Sequence, residues 1–170
     1  LNPYLGFRDN AREAMEFYQS VFGGELNVST FADFQASEDP AEADKVMHSQ
    51  LETPSGYTLM GSDTPNRMDY TPGSNYSVSL SGENADEAEL RGYFEKLSDG
   101  GIVTVPLDKA PWGDAFGMVV DKFGVTWQDW WRRQGMDPAQ KEPWLQSNSG
   151  SFWRDAPNGL GFWESWGVPE

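Results

Sequence analysis

The only histidine of the 170-residue chain is His48, which lies in the segment VMHSQL. Histidine is the side chain that exchanges a proton closest to neutral pH, so His48 can act as a general base or as a polar contact for a ligand. In an extended strand His48 shares a face with Val46 and Gln50. The alternative is a histidine that only hydrogen-bonds a neighbour. His48 is therefore the candidate catalytic residue and a candidate ligand-binding residue.

Two further segments carry side chains suited to ligand contact. Asp63 ends the segment LMGSD. Its carboxylate either orients His48, or binds a ligand amine, or instead caps the turn that follows by accepting from backbone N–H groups. The segment PWGDAFG places Trp112 beside two glycines that permit close approach of the backbone. Because ligand pockets are mostly apolar, Trp112 is a candidate pocket wall, with a place in the core as the alternative.

Nucleophilic catalysis has no candidate residues in this sequence. The chain contains no cysteine and no Gly-x-Ser-x-Gly motif, and a single histidine is available to activate a serine. It also has no Gly-x-Gly-x-x-Gly or phosphate-loop motif. These observations exclude the common signatures of covalent hydrolases and nucleotide-binding enzymes.

Charge and hydropathy restrict the partners. The formal net charge is -15 and only 12 residues are Lys or Arg, which disfavours nucleic acid and anionic membrane surfaces. No run reaches the roughly 18 apolar residues of a membrane span, and the first residues lack a basic region followed by an apolar one. Together with the absence of cysteine, this composition predicts a cytoplasmic protein that binds neither nucleic acid nor membrane.

The chain repeats one local pattern. NAREAMEFYQSVFGG begins at Asn10, and NADEAELRGYFEKLSDGG begins at Asn84. Each asparagine is a predicted N-cap with a glutamate three residues later, an apolar stripe at helical spacing follows, and a Gly-Gly pair ends the helix. Each predicted helix is preceded by one strand-like segment and followed by three. The order strand, helix, strand, strand, strand therefore occurs twice.

This order divides the chain into four segments. Residues 1–64 form the first module, 65–74 form a linker rich in Pro, Gly and polar residues, and 75–130 form the second module, in which Trp127 is a predicted core residue. Residues 131–170 form an irregular Trp-rich arm. Because indole rings left in water favour aggregation, we expect the arm to pack on the chain itself or on a second subunit.

Residues 1 to about 128 resemble the vicinal oxygen chelate superfamily, and more narrowly its PhnB-like branch, close to the glyoxalase, bleomycin-resistance and dioxygenase folds. The segments that carry the resemblance are FYQSVFGGE, VMHSQL, LMGSD and PWGDAFGMVVDKFGVTW, in the order typical of the family. The resemblance implies an α+β fold in which two repeated βαβββ modules form a curled mixed sheet around a pocket. It places the first strand, with Tyr4, and the strand of His48 in the pocket wall.

The resemblance also implies where a metal is held. Metal-using members carry a ligand, usually His, on the first strand of each module and a Glu on the fourth, commonly four residues after the glycine of the preceding turn. Counting from Gly56 gives Met60, and counting from Gly124 gives Gln128. A thioether and an amide are poor ligands for divalent metals, so we expect no metal cofactor, with Gln128 as the one candidate ligand for a divalent ion.

The function implied by this resemblance is the binding of a small organic molecule by a homodimer without the usual metal site. Tyr4, His48, Asp63 and Trp112 are the predicted ligand-binding residues. One alternative is a metal-dependent lyase, isomerase or resistance enzyme of the same superfamily that uses His48. A second alternative is a structural or interaction protein that uses its Trp-rich arm. The sequence leaves open whether any reaction is catalysed.

Overall fold

A computed structural model of the chain describes residues 1–110 and 114–132. Trp112 and all but the first two residues of the predicted Trp-rich arm lie outside these ranges. The chain divides into two compact units, Leu1–Val78 and Ser79–Glu170. Among the described residues, no helix combines the length and the apolar character needed to cross a membrane.

The first unit contains one helix and four strands. In chain order these are β1 (Tyr4–Phe7), α1 (Ala11–Phe22), β2 (Glu25–Thr30), β3 (Val46–Glu52) and β4 (Thr58–Asp63), with a short 3-10 turn at Pro40–Glu42 between β2 and β3. The sheet order is β1-β4-β3-β2. β1 pairs with β4 in parallel, and the other neighbours are antiparallel.

The second unit repeats this architecture. Its elements are β5 (Val78–Glu83), a 3-10 turn at Asn84–Asp86, α2 (Glu87–Leu97), β6 (Ile102–Lys109), β7 (Ala115–Val120) and β8 (Thr126–Arg132), and β5 begins at the last residue of the first unit. The sheet order is β5-β8-β7-β6. The predicted α+β fold of two similar βαβββ modules is thereby confirmed.

Helix α1 packs one apolar face on the first sheet, as its sequence periodicity predicts. Its buried residues recur at helical spacing, and Gly61 on β4 lies beneath them. A Cβ at Gly61 would lie 3.2 Å from both Met15 Sδ and Phe7 Cε2, so the helix contacts the bare backbone of the strand. The buried helix residues are Ala11, Ala14, Met15, Tyr18, Val21 and Phe22.

The prediction that the Asn10 side chain caps α1 is wrong. Asn10 occupies the N-cap position, but its side chain makes no capping hydrogen bond. Instead Asp63, at the end of β4, accepts from the N–H of Ala11 through Oδ1 at 3.0 Å. Its Oδ2 accepts from the N–H of Val46 at 2.9 Å. A negative charge at a helix N-terminus is stabilising, and here one carboxylate also joins the helix to two strands.

The end of α1 requires glycine, as predicted. Gly24 has φ +98°, and a Cβ there would lie 2.1 Å from the carbonyl oxygen of Glu52. Only a glycine lets the chain pass so close to β3 as it turns into β2.

The second helix begins later than predicted. Residues Asn84–Asp86 form a 3-10 turn, and the N-cap residue of α2 is Asp86. The Asp86 carboxylate accepts from the N–H of Glu83 at 2.8 Å. The N-cap prediction for Asn84 is therefore wrong, because a local turn intervenes between strand and helix.

Strand β8 forms the centre of the second core. Trp127 is 1% exposed, and its Nε1–H donates to Asp121 Oδ2 at 2.8 Å. Its predicted place in the core is thus confirmed. The strand continues to Arg132, past the predicted end of the second module at residue 130.

Asp129 is buried in this core without a hydrogen-bond partner among the described residues. Its side chain is 0% exposed, and among the described residues neither carboxylate oxygen has a hydrogen-bond partner. The indole N–H of Trp131, two residues on and also buried, has none there either. Burial raises the pKa of Asp129 to about 7, because the charged form loses its hydration.

We predict that Asp63→Ala lowers the free energy of unfolding by about 3 kcal/mol, because two buried N–H groups lose a charged acceptor. Urea denaturation followed by circular dichroism measures the change. Asp69→Ala, at an exposed aspartate, is the control and should stay within about 0.5 kcal/mol of the wild type. Equal losses in the two variants would contradict the role given to Asp63.

We also predict that Asp129 makes stability decrease as the pH rises. An unfolded aspartate loses its proton near pH 4, whereas folded Asp129 holds it up to about pH 7. The extra proton bound by the folded state stabilises the protein at acid pH, and this contribution is lost between those values.

The measurement compares the wild type with Asp129→Asn by urea denaturation from pH 4 to pH 8. The difference between them should change by on the order of 1.4 kcal/mol per pH unit up to about pH 7, and then level off. Asp99→Asn, at an exposed aspartate, should follow the wild type. A constant difference across the range would show that Asp129 does not titrate in this way.

Candidate functional site

The first sheet packs one face against α1, and its opposite face, here called the open face, carries exposed and half-buried side chains. Along β4, Leu59, Gly61 and Asp63 are buried, while Thr58, Met60 and Ser62 are only half-buried. β1 alternates in the same way, with Tyr4 and Gly6 exposed and Leu5 and Phe7 buried. Polar and aromatic side chains of the open face are therefore available to a ligand.

One row of side chains crosses all four strands of this face. The strand register places Tyr4 opposite Met60, Met60 opposite Gln50, and Gln50 opposite Asn27. Paired residues of neighbouring strands project to the same side of a sheet. Phenol, thioether and amide groups thus lie side by side.

Tyr4 and His48 meet on the open face although 44 positions separate them in the chain. Tyr4 Oη lies 3.1 Å from His48 Nδ1. The two rings are stacked, with centroids 5.8 Å apart and planes inclined by 29°. Tyr4 remains 51% exposed. The pair offers an aromatic face together with hydrogen-bonding groups.

The face assigned to His48 from its sequence is only partly right. Gln50 shares the open face, but Val46 is buried on the helix side. The register moves from Ser29–His48 to Thr30–Val46, which leaves Met47 as an extra residue in β3. Such a bulge breaks the two-residue alternation, so a strict period assigns Val46 to the wrong face.

Asp63 lies on the helix side of the first sheet, away from Tyr4 and His48. Both of its oxygens accept from backbone N–H groups, of Ala11 and Val46. The structure thus brings together two of the four predicted ligand-binding residues and gives Asp63 a structural task. The fourth, Trp112, lies outside the described residues.

Gln128, the candidate metal ligand, belongs to the second unit. It pairs with Met118 of β7, and both are half-buried on the face away from α2. Phe116 and Trp130 form the next cross-strand pair on that face. A thioether and an aromatic pair are therefore among the cross-strand neighbours of Gln128.

The residues at the positions implied for metal ligands do not fit a divalent ion. Met60 supplies a thioether and Gln128 an amide, whereas such ions require imidazole, carboxylate or thiolate donors. Within residues 1–110 and 114–132, no three His, Cys, Asp or Glu side chains form a group that could hold a metal.

Sequence reasoning named Tyr4 and His48 separately but missed their contact, as well as the place of Gln50 beside Met60. The alternation along VMHSQL gave Gln50 and His48 the same face, but a contact between residues 44 positions apart leaves no local signal. The isolated position of Asp129 also gave no signal, because a charged residue in a strand is usually exposed.

Comparison with known proteins identifies the family. The model of the family described as 3-demethylubiquinone-9 3-methyltransferase matches residues 1–129. Protein YjdN of Escherichia coli K12 is 26% identical over 139 residues, which cover 75% of this chain and 91% of that protein.

Solved structures agree with this match. Protein PA1353 from Pseudomonas aeruginosa is 36% identical, with a TM-score of 0.65 over 79% of this chain and 98% of that chain. A putative 3-demethylubiquinone-9 3-methyltransferase, PhnB protein, from Bacillus cereus is 28% identical, with a TM-score of 0.61 over 78% and 98% of the two chains. A glyoxylase/bleomycin resistance protein/dioxygenase domain from Frankia, at 16% identity and a TM-score of 0.54 over 79% and 92%, shares the fold. The chain therefore belongs to the 3-demethylubiquinone-9 3-methyltransferase family, within the PhnB-like branch of the vicinal oxygen chelate superfamily.

Proposed function

We propose that the protein binds a small organic molecule on the open face of the first sheet, centred on Tyr4 and His48, without the usual metal. The observation that carries this proposal is the Tyr4–His48 pair. Its rings are stacked and joined by a hydrogen bond of 3.1 Å on a face that α1 does not cover.

The pair is suited to binding because its geometry is set before a ligand arrives. The hydrogen bond restrains two side chains that would otherwise lose rotamer freedom on binding. Half of the tyrosine surface stays available for stacking, and Met60 lies next to it with a polarisable sulfur. An apolar surface with a few placed polar groups is typical of sites for small organic ligands.

The relatives support the same class of ligand. The matching family and the PhnB protein of Bacillus cereus are both described as 3-demethylubiquinone-9 3-methyltransferases, a description that refers to an organic substrate. Trp112 as a pocket wall and assembly into a homodimer remain predictions that belong to this proposal.

An enzymatic role of His48 is the second candidate. Among the described residues, no group hydrogen-bonds its Nε2, which would accept a substrate proton in the tautomer protonated at Nδ1. In that tautomer Nδ1–H donates to Tyr4 Oη, and Tyr4 orients the imidazole. This reading differs from simple binding in one respect: His48→Gln would retain ligand affinity and lose turnover.

We predict that Tyr4→Ala and His48→Ala each weaken binding by roughly tenfold or more, because each removes a stacking surface and a hydrogen bond. Small aromatic compounds and metabolites are screened by ligand-observed NMR, and the dissociation constants of the hits are measured for each variant. The melting temperature should change little, since Tyr4 is half exposed.

The matched control is Tyr76→Ala, another half-exposed tyrosine of the first unit. It should bind the hits as tightly as the wild type. Hits that bind Tyr4→Ala and His48→Ala with unchanged affinity would place binding elsewhere and would overturn the proposal.

A further inference from the structure

We infer that Tyr4 holds His48 as the tautomer protonated at Nε2, and that the bound molecule therefore presents an uncharged hydrogen-bond acceptor, such as a carbonyl oxygen, on a planar group. Tyr4 is then a positioning residue that sets the specificity of the site. This inference rests on the proposed binding function.

The direction of the Tyr4–His48 hydrogen bond follows from the acidity of the two possible donors. A neutral imidazole has one nitrogen that donates and one that accepts. The phenol is the stronger donor of the two partners, because its O–H is more acidic than the N–H of a neutral imidazole. Tyr4 Oη–H therefore donates to Nδ1 across 3.1 Å, and the ring proton resides on Nε2.

In this tautomer the ring of His48 presents one hydrogen-bond donor to a ligand. Nε2–H is a donor, and no described residue accepts from it. Gln50 donates its amide to Glu52 Oε1 at 2.7 Å, and among the described residues neither its carbonyl oxygen nor the weakly accepting sulfur of Met60 receives this donor. A ligand that covers the His48 ring shields Nε2–H from solvent and must then supply an acceptor, because a donor left unpaired beneath it costs free energy.

Acidic side chains lie on the face of the sheet that carries the site. Glu25 and Glu52 face each other directly across β2 and β3, on the same side of the sheet as His48. The chain as a whole carries a formal charge of -15. Both features repel carboxylate and phosphate groups. An uncharged acceptor, such as a ketone, ester or amide oxygen, therefore fits better than an anion.

The side chains of the site favour a flat ligand. The rings of Tyr4 and His48 lie within 29° of parallel, and Met60 is the register partner of Tyr4. Aromatic rings and thioethers favour contact with flat π-systems. The acceptor is thus expected on or beside an aromatic or conjugated group.

The tautomer is measured without any ligand. His48 is the only histidine, so 15N-labelled protein gives a single pair of imidazole nitrogen signals. At about pH 8.5 we expect a protonated-type shift for Nε2 and an unprotonated-type shift for Nδ1. Tyr4→Phe should move both signals toward the average of the two tautomers, whereas Tyr76→Phe should leave them unchanged. A proton on Nδ1 in the wild type would overturn the inference. Signals in Tyr4→Phe that do not differ from those of the wild type would also overturn it.

The ligand class is measured with three probes that share one ring: acetophenone, benzoate and benzylamine. Acetophenone should bind most tightly and shift the Nε2 signal, and Tyr4→Phe should weaken its binding roughly three- to tenfold. Tighter binding of benzoate or benzylamine would overturn the assignment of an uncharged acceptor. If none of the three disturbs the signals of Tyr4 or His48, the proposed binding function is overturned. The tautomer measurement uses no ligand, so its outcome does not depend on this result.

Discussion

Each module depends on one constraint, which is that a single helix covers a single face of a four-stranded sheet. Side chains alternate between the two faces of a strand, so covering one face assigns every other residue to the opposite side. In the first unit this places Leu59 and Gly61 beneath α1. Met60 and the residues paired with it across the sheet lie on the face that α1 does not cover. The candidate site is the uncovered half of that pattern.

The two units differ in the partners of their buried carboxylates. In the first, the buried carboxylate of Asp63 is paired with two backbone N–H groups and links α1, β3 and β4. In the second, buried Asp129 has no partner among the described residues. One buried acid therefore stabilises its unit, whereas the other lowers stability wherever it is ionised.

Much of this architecture was readable from local patterns. The apolar stripe from Ala11 to Phe22 and its glycine stop predicted α1 within a residue, and the repeat predicted a second module. Helix caps were less reliable, since Asn10 was displaced as a cap by Asp63 from a distant strand. Val46 was assigned to the wrong face because a bulge interrupts the strand period. Both failures arise where a contact or an irregularity overrides a local rule.

The sequence by itself determined the helices, most strands, the doubled module and the individual residues Tyr4 and His48. The helices, strands and repeat follow from periodicity and turn chemistry, which act over a few residues, whereas Tyr4 was named through the family resemblance. Only the tertiary structure decided that Tyr4 lies against His48 and that Asp63 points to the other side. The parallel pairing of β1 with β4 aligns residues more than 50 positions apart, and no local property of the chain encodes that register.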